Sequence, residues 1–68
     1  MGWREVIKAL RKKGFYVTHQ RGSHIYLTDV EKHKVTVPRH DPIKIGTLLS
    51  IIEQSGFTRN EFLQLLDR

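Results

Sequence analysis

His24 lies in the stretch Gln20–Arg21–Gly22–Ser23–His24–Ile25–Tyr26, just after an arginine and a glycine and just before β-branched and aromatic residues. An imidazole changes charge near neutral pH, so it can take or give a proton there. Arginine adds a permanent cation whose planar donors match a phosphate. Glycine lets a ligand come close to the backbone. These residue types suit phosphate chemistry, and one such reaction needs few protein groups. RNA is cleaved by its own 2′-hydroxyl once a proton acceptor, a proton donor and cations for the charge on phosphorus are supplied. From the residues alone, His24 is either the proton-transfer group of such a site or a solvated histidine at the start of a strand.

Other chemistries fit less well. Adjacent side chains in a strand point to opposite faces, so Ser23 and His24 do not form a nucleophile–base pair. The four histidines, at 19, 24, 33 and 40, have no helical i, i+4 spacing and no carboxylate completes an obvious metal triad. The chain has no cysteine, so thiolate ligands and disulfides are excluded. It has no P-loop and no G-x-S-x-G. No metal and no small-molecule cofactor is expected.

The elements that must position His24 can be read from periodicity. Trp3, Val6, Ile7 and Leu10 form an i, i+3, i+4, i+7 stripe, which predicts a helix. Its opposite face carries Arg4, Lys8, Arg11 and Lys12, a cationic ridge that is either a solvated face or a phosphate-contacting one. Gly14 is the expected stop.

Two alternating segments, Phe15–Gln20 and Ser23–Asp29, then predict a hairpin. A three-residue loop, Gln20–Arg21–Gly22, would pair Val17 with Ile25 and Phe15 with Leu27, keeping the apolar set on one face. Gly22 would take the left-handed third position of that loop. Tyr16 would then oppose Tyr26, and Thr18 would oppose His24. The tyrosines are placed either to stack bases or simply to stabilise the hairpin.

His33–Pro38 predicts a third strand, with Val35 and Val37 on the buried face and Lys34 and Thr36 on the open one. Asp41 and Pro42 read as the N-cap and first residue of a second helix, with Ile45, Leu48, Leu49 and Ile52 as its core stripe. Gly46 within it suggests close packing. Gly56 stops that helix, and Thr58 with Glu61, and Phe57 with Phe62, fit a capping box and a hydrophobic staple opening a third. The order is α-β-β-β-α-α. It predicts an α+β two-layer sandwich in which helices cover one face of a three-stranded antiparallel sheet, as in a double-stranded-RNA-binding domain.

At 68 residues the chain is expected to form a single domain, residues 1–68, too small to enclose a cofactor cavity and keep a core. Twelve Lys/Arg against seven Asp/Glu give a net charge of +5, and ten of the basic residues fall within residues 1–44. Such clustering suggests a polyanion partner. No apolar run approaches the ~20 residues of a membrane span, and residues 1–10 do not read as a signal peptide, so a cytoplasmic location is expected.

The segments "WREVIKALRKKGF", "RGSHIYL" and "VTVPRHDPIKIGTLLSIIEQSGFTRNEFL" resemble the HicA (YcfA-like) toxin family from Trp3 to Leu63. The most specific parts are Gly22–Ser23–His24 and the Pro38-x-His40 segment ahead of Gly46–Thr47–Leu48. The resemblance implies a double-stranded-RNA-binding-domain-like fold and a metal-independent endoribonuclease that cleaves mRNA. It places the catalytic histidine at His24 and the family's neighbouring glycine at Gly22. It also implies a HicB-like antitoxin that masks the open face. Arg21, Gly22, Ser23, Lys34 and the ridge Arg4, Lys8, Arg11 and Lys12 are the expected RNA contacts. A non-catalytic RNA-binding module, or a module that only pairs with an acidic partner, would use the same surfaces. The second catalytic group is not evident in the sequence.

Overall fold

The computed structural model describes residues 1–66. The elements are α1 (Trp3–Lys12), β1 (Tyr16–Arg21), β2 (His24–Thr28), β3 (Lys34–Pro38), α2 (Ile45–Ser55) and α3 (Arg59–Leu66), in the expected order. The strands form an antiparallel sheet in the order β1-β2-β3. Ile25, Leu27, Val35 and Val37 turn one face of it into a core shared with Val6 and Leu10 of α1, Ile51 and Ile52 of α2, and Phe62 of α3. Among the described residues, no helix is long and apolar enough to cross a membrane.

The hairpin register differs from the expected one. The loop has two residues, Gly22 and Ser23, and Arg21 stands directly opposite His24. Gly22 has φ +57 while Ser23 does not have positive φ, the arrangement of a II′ turn. A regular ladder from this turn would set Thr18 opposite Leu27 and push Val17 onto the polar face. Instead the register shifts between Val17 and His19, so that Val17 pairs with Leu27 and Tyr16 with Thr28. Thr18 is the extra residue of a β-bulge, and its hydroxyl donates to the Tyr26 carbonyl at 3.2 Å. A single bulge thus restores the Val17–Leu27 pairing after a tight turn, although Val17, on an edge strand that is exposed throughout, remains 44% exposed. The two-residue turn itself sets His19 opposite Tyr26 on the open face, away from the expected pairings of Tyr16 with Tyr26 and Thr18 with His24, and the bulge changes only the partners of Val17 and Tyr16. β2 and β3 pair as expected, Ile25 with Val37 and Leu27 with Val35.

The start of α2 is the second correction. Its N-cap is Lys44, so Asp41 and Pro42 precede the helix. The Asp41 carboxylate instead accepts the Trp3 N–H at 3.0 Å, capping α1 from across the chain. The buried stripe also differs from the expected one: Leu48, Ile51, Ile52 and Ser55 are buried, while Ile45 is 70% exposed. Leu49 is also exposed, and a Cβ at Gly46 would meet nothing within 4 Å, so close packing does not explain that glycine.

The remaining helix ends form as the sequence implies. Gly56 closes α2 in the left-handed conformation. Thr58 and Glu61 exchange hydrogen bonds of 2.8 and 3.1 Å, and the Phe57 and Phe62 rings lie 6.4 Å apart.

Candidate functional site

The tight turn ends β1 at Arg21 and starts β2 at His24, so one cation and one imidazole occupy facing positions at the same end of the sheet. Residues directly opposite in an antiparallel pair are ~4.5–5.5 Å apart between Cα atoms. On its other side His24 pairs with Pro38. Ser23 belongs to the turn, where its carbonyl accepts the Arg39 N–H at 2.7 Å.

α2 runs along the outer edge of β3, where the Gln54 side chain accepts the Thr36 N–H at 3.3 Å. Between them lies a groove of about 500 Å³ whose walls include His24, Thr36, His40, Lys44, Thr47 and Ser50. That volume is within the range of small-ligand sites. His24 therefore stands at the junction of an open polar sheet face and a groove with its own cation, Lys44. His40, Lys44, Thr47 and Ser50 were not among the expected site residues. Their signal lies in tertiary placement, because they reach His24 only once α2 lies beside β3.

The other expected contacts are spread out. Lys34 pairs with Thr28, four residues along the strands from His24, or roughly 13 Å at ~3.3 Å per residue. Arg4, Lys8, Arg11 and Lys12 line a shallow depression on the outer side of α1, across the helical layer from the open sheet face. Lys12 donates to the Leu65 carbonyl at 3.2 Å. Tyr26 is stacked on His19, with ring centroids 4.4 Å apart and planes 12° from parallel. The aromatic platform on the open face is thus a histidine–tyrosine pair in place of the expected tyrosine pair.

Asp29, Glu31 and His33 offer ligand atoms within 4.8 Å of one another. They form the β2–β3 turn, at the opposite end of the strands from His24. The Asp29 carboxylate takes the His33 N–H at 2.8 Å, the Glu31 N–H at 3.1 Å and the His33 ring at 2.9 Å. Burial pushes the Asp29 carboxyl up, but these hydrogen bonds and the His33 charge outweigh it and hold the carboxyl below the ordinary 3.8. Turn closure accounts for this carboxylate.

Residues 3–57 match the family described as the HicA toxin of bacterial toxin–antitoxin systems. The chain belongs to the HicA toxin family. No individual curated protein matches the chain. The family match contains α1, the whole sheet and α2, and so every wall of the groove and both sides of the Gly22–Ser23 turn. It stops before α3, whose Phe62 nevertheless fills the core of this HicA-family chain. Membership in a toxin–antitoxin family implies an antitoxin partner.

Proposed function

We propose that this chain is the endoribonuclease toxin of its system, cleaving mRNA without a metal, with His24 as general base. The observation that carries the reading is the position of His24: opposite Arg21, at the exit of a glycine turn, and facing a groove that also holds Lys44. An imidazole with a cation across the strand pair and another along the groove suits 2′-hydroxyl attack on a phosphodiester. The stacked His19–Tyr26 pair supplies a π surface for a neighbouring base. A HicB-like antitoxin neutralises the toxin by covering this face.

The test is cleavage of a transcribed mRNA by the purified chain in excess chelator. His24→Ala is expected to lower the rate by ~10²–10⁴-fold, the range for losing a general base, with an unchanged circular-dichroism spectrum. Undiminished cleavage by that variant refutes the assignment. Salt-sensitive RNA binding by the wild type with no cleavage products would identify an RNA-binding module instead.

A further inference from the structure

The four histidines divide into two pairs. The His19 ring is engaged by the Thr18 hydroxyl at 3.2 Å and stacked on Tyr26. The His33 ring is held by Asp29 at 2.9 Å. Among the described residues, the rings of His24 and His40 make no hydrogen bond, and both line the groove between β3 and α2. They are also close in the fold. His24 pairs with Pro38, and His40 follows Pro38 by two residues, with its N–H on the Pro38 carbonyl at 2.9 Å.

His40 sits in a fixed segment. Arg39 N–H is bonded to the Ser23 carbonyl at 2.7 Å, and the Arg39 guanidinium lies 5.2 Å from the Trp3 ring centre. Asp41 holds the Trp3 N–H, and Ile43 N–H donates to the Met1 carbonyl at 2.8 Å. Residues 39, 41 and 43 are thus tied to the turn or to the chain ahead of and within α1, while His40, Pro42 and Lys44, together with Ile43 itself, line the groove. A free imidazole held by anchored neighbours costs little further ordering when a substrate arrives.

We infer that His40 is the second catalytic group, the general acid that protonates the leaving 5′-oxygen. The inference rests on the endoribonuclease reading above and fills the role that reading leaves vacant. The 2′-hydroxyl proton passes to His24 as the 2′-oxygen bonds to phosphorus. The bond from phosphorus to the 5′-oxygen breaks, its electron pair stays on that oxygen, and His40 delivers the proton it needs. The products are a 2′,3′-cyclic phosphate and a 5′-hydroxyl, and the two rings regain their starting protonation through water. The charged and titratable groups around the pair are Arg21 from β1, Arg39 and Asp41 beside His40, and Lys44 at the start of α2, with the Asp41 carboxylate already engaged by α1.

The experiment uses the full chain and a short RNA spanning a mapped cleavage point. It is made with the normal linkage and with sulfur replacing the scissile 5′-oxygen, a leaving group that needs no proton. His40→Ala and His40→Gln are expected to cut the normal RNA ~10²-fold or more slowly, and the sulfur substrate within about tenfold of wild type. The limb of the pH–rate profile that falls at high pH should vanish in both variants. Failure of His24→Ala to slow cleavage sinks the endoribonuclease assignment of His24. Normal rates for both His40 variants, with His24→Ala inactive, sink only the present inference. So does an equal loss on both substrates, or sulfur rescue of His24→Ala in place of the His40 variants. Two substitutions of different size guard against reading a folding defect as lost chemistry, since the sulfur rescue requires a folded groove.

Discussion

Asp41 stands just ahead of α2 but its side chain acts on α1. As a local N-cap it would support α2, but its carboxylate sits on the Trp3 N–H at 3.0 Å, at the start of α1. Removing a capping side chain costs ~0.5–2 kcal/mol, and a carboxylate at a helix N-terminus adds ~0.3–1 kcal/mol. Asp41→Ala should therefore destabilise the domain by about 1–3 kcal/mol. For a domain of this size each kcal/mol lowers Tm by roughly 4–8 °C. Asp41→Asn keeps an acceptor and loses the charge, so it should show only the smaller, salt-sensitive part.

Urea unfolding gives the total, and native-state amide exchange gives its location. Protection should fall at Trp3 and at Val6, the first amide bonded within α1, with Leu48, the first bonded amide of α2, unaffected. An independent route to the same contact exists. A Cβ at Gly2 would stand 2.5 Å from Asp41 Oδ1, so Gly2→Ala should displace the carboxylate and change exchange in the same place. Loss of protection confined to α2, or a change in stability below about 0.3 kcal/mol for Asp41→Ala, would refute the cross-chain cap.

Other substitutions read other parts of the fold. Gly22→Ala has room for its methyl but must hold φ +57, so it should cost ~1–2 kcal/mol by urea unfolding, and Gly22→Asn should cost less. Phe62→Ala removes a 0%-exposed ring and should cost ~3–5 kcal/mol, testing by calorimetry whether α3, outside the family match, is part of the same cooperative core. The Glu61 carboxyl is held below its ordinary 4.5 chiefly by the Thr58 N–H, against some desolvation, with help from the Thr58 hydroxyl and Lys13. Asp29 and Glu61 both bind their protons more weakly folded than unfolded. Their stabilisation is therefore complete above about pH 4.5 and is lost as pH falls through their depressed folded values. The urea midpoint should decline below that pH, and Asp29→Asn with Glu61→Gln should flatten the decline.

The order of elements was legible because each carries its own period. A 3.6-residue stripe in α1, alternation in β2 and β3, and a capping box at α3 are local signals, and all three form. The hairpin register was not legible. Alternation favoured a loop that kept Val17 opposite Ile25, and only the actual turn at Gly22–Ser23 makes a bulge at Thr18 necessary. The same two-residue turn sets His19 opposite Tyr26. Ile45 and Leu49 were misassigned because Ile45, Leu48, Leu49, Ile52 and Leu48, Ile51, Ile52, Ser55 are both i, i+3, i+4, i+7 stripes that share Leu48 and Ile52, and packing buries the second. In the candidate site, His24 and Arg21 were recoverable from a short motif. His40, Lys44 and Thr47 required knowing that α2 lies against the edge of β3. Lys34 and the α1 ridge were grouped with His24 by charge, and the strand length and the layer order separate them.

The misread segment and the catalytic inference have a common origin. An Asp–Pro pair ahead of an apolar run looks like a helix start because caps are usually local. Here residues 39–44 precede α2 as an irregular segment that both anchors to the rest of the chain and lines the groove. Arg39, Asp41 and Ile43 bond to the turn and to the chain at and before the start of α1, and His40 and Lys44 line the groove. The carboxylate that does not cap its own helix instead anchors the segment that lines the groove. It fixes the segment at the residue next to His40, to a helix that the core already holds. On the proposed mechanism, stability and proton delivery are coupled at Asp41. Asp41→Ala should slow cleavage more than its loss of folded population accounts for, because it loosens the segment that carries the free imidazole while His24, placed by the sheet, stays where it is.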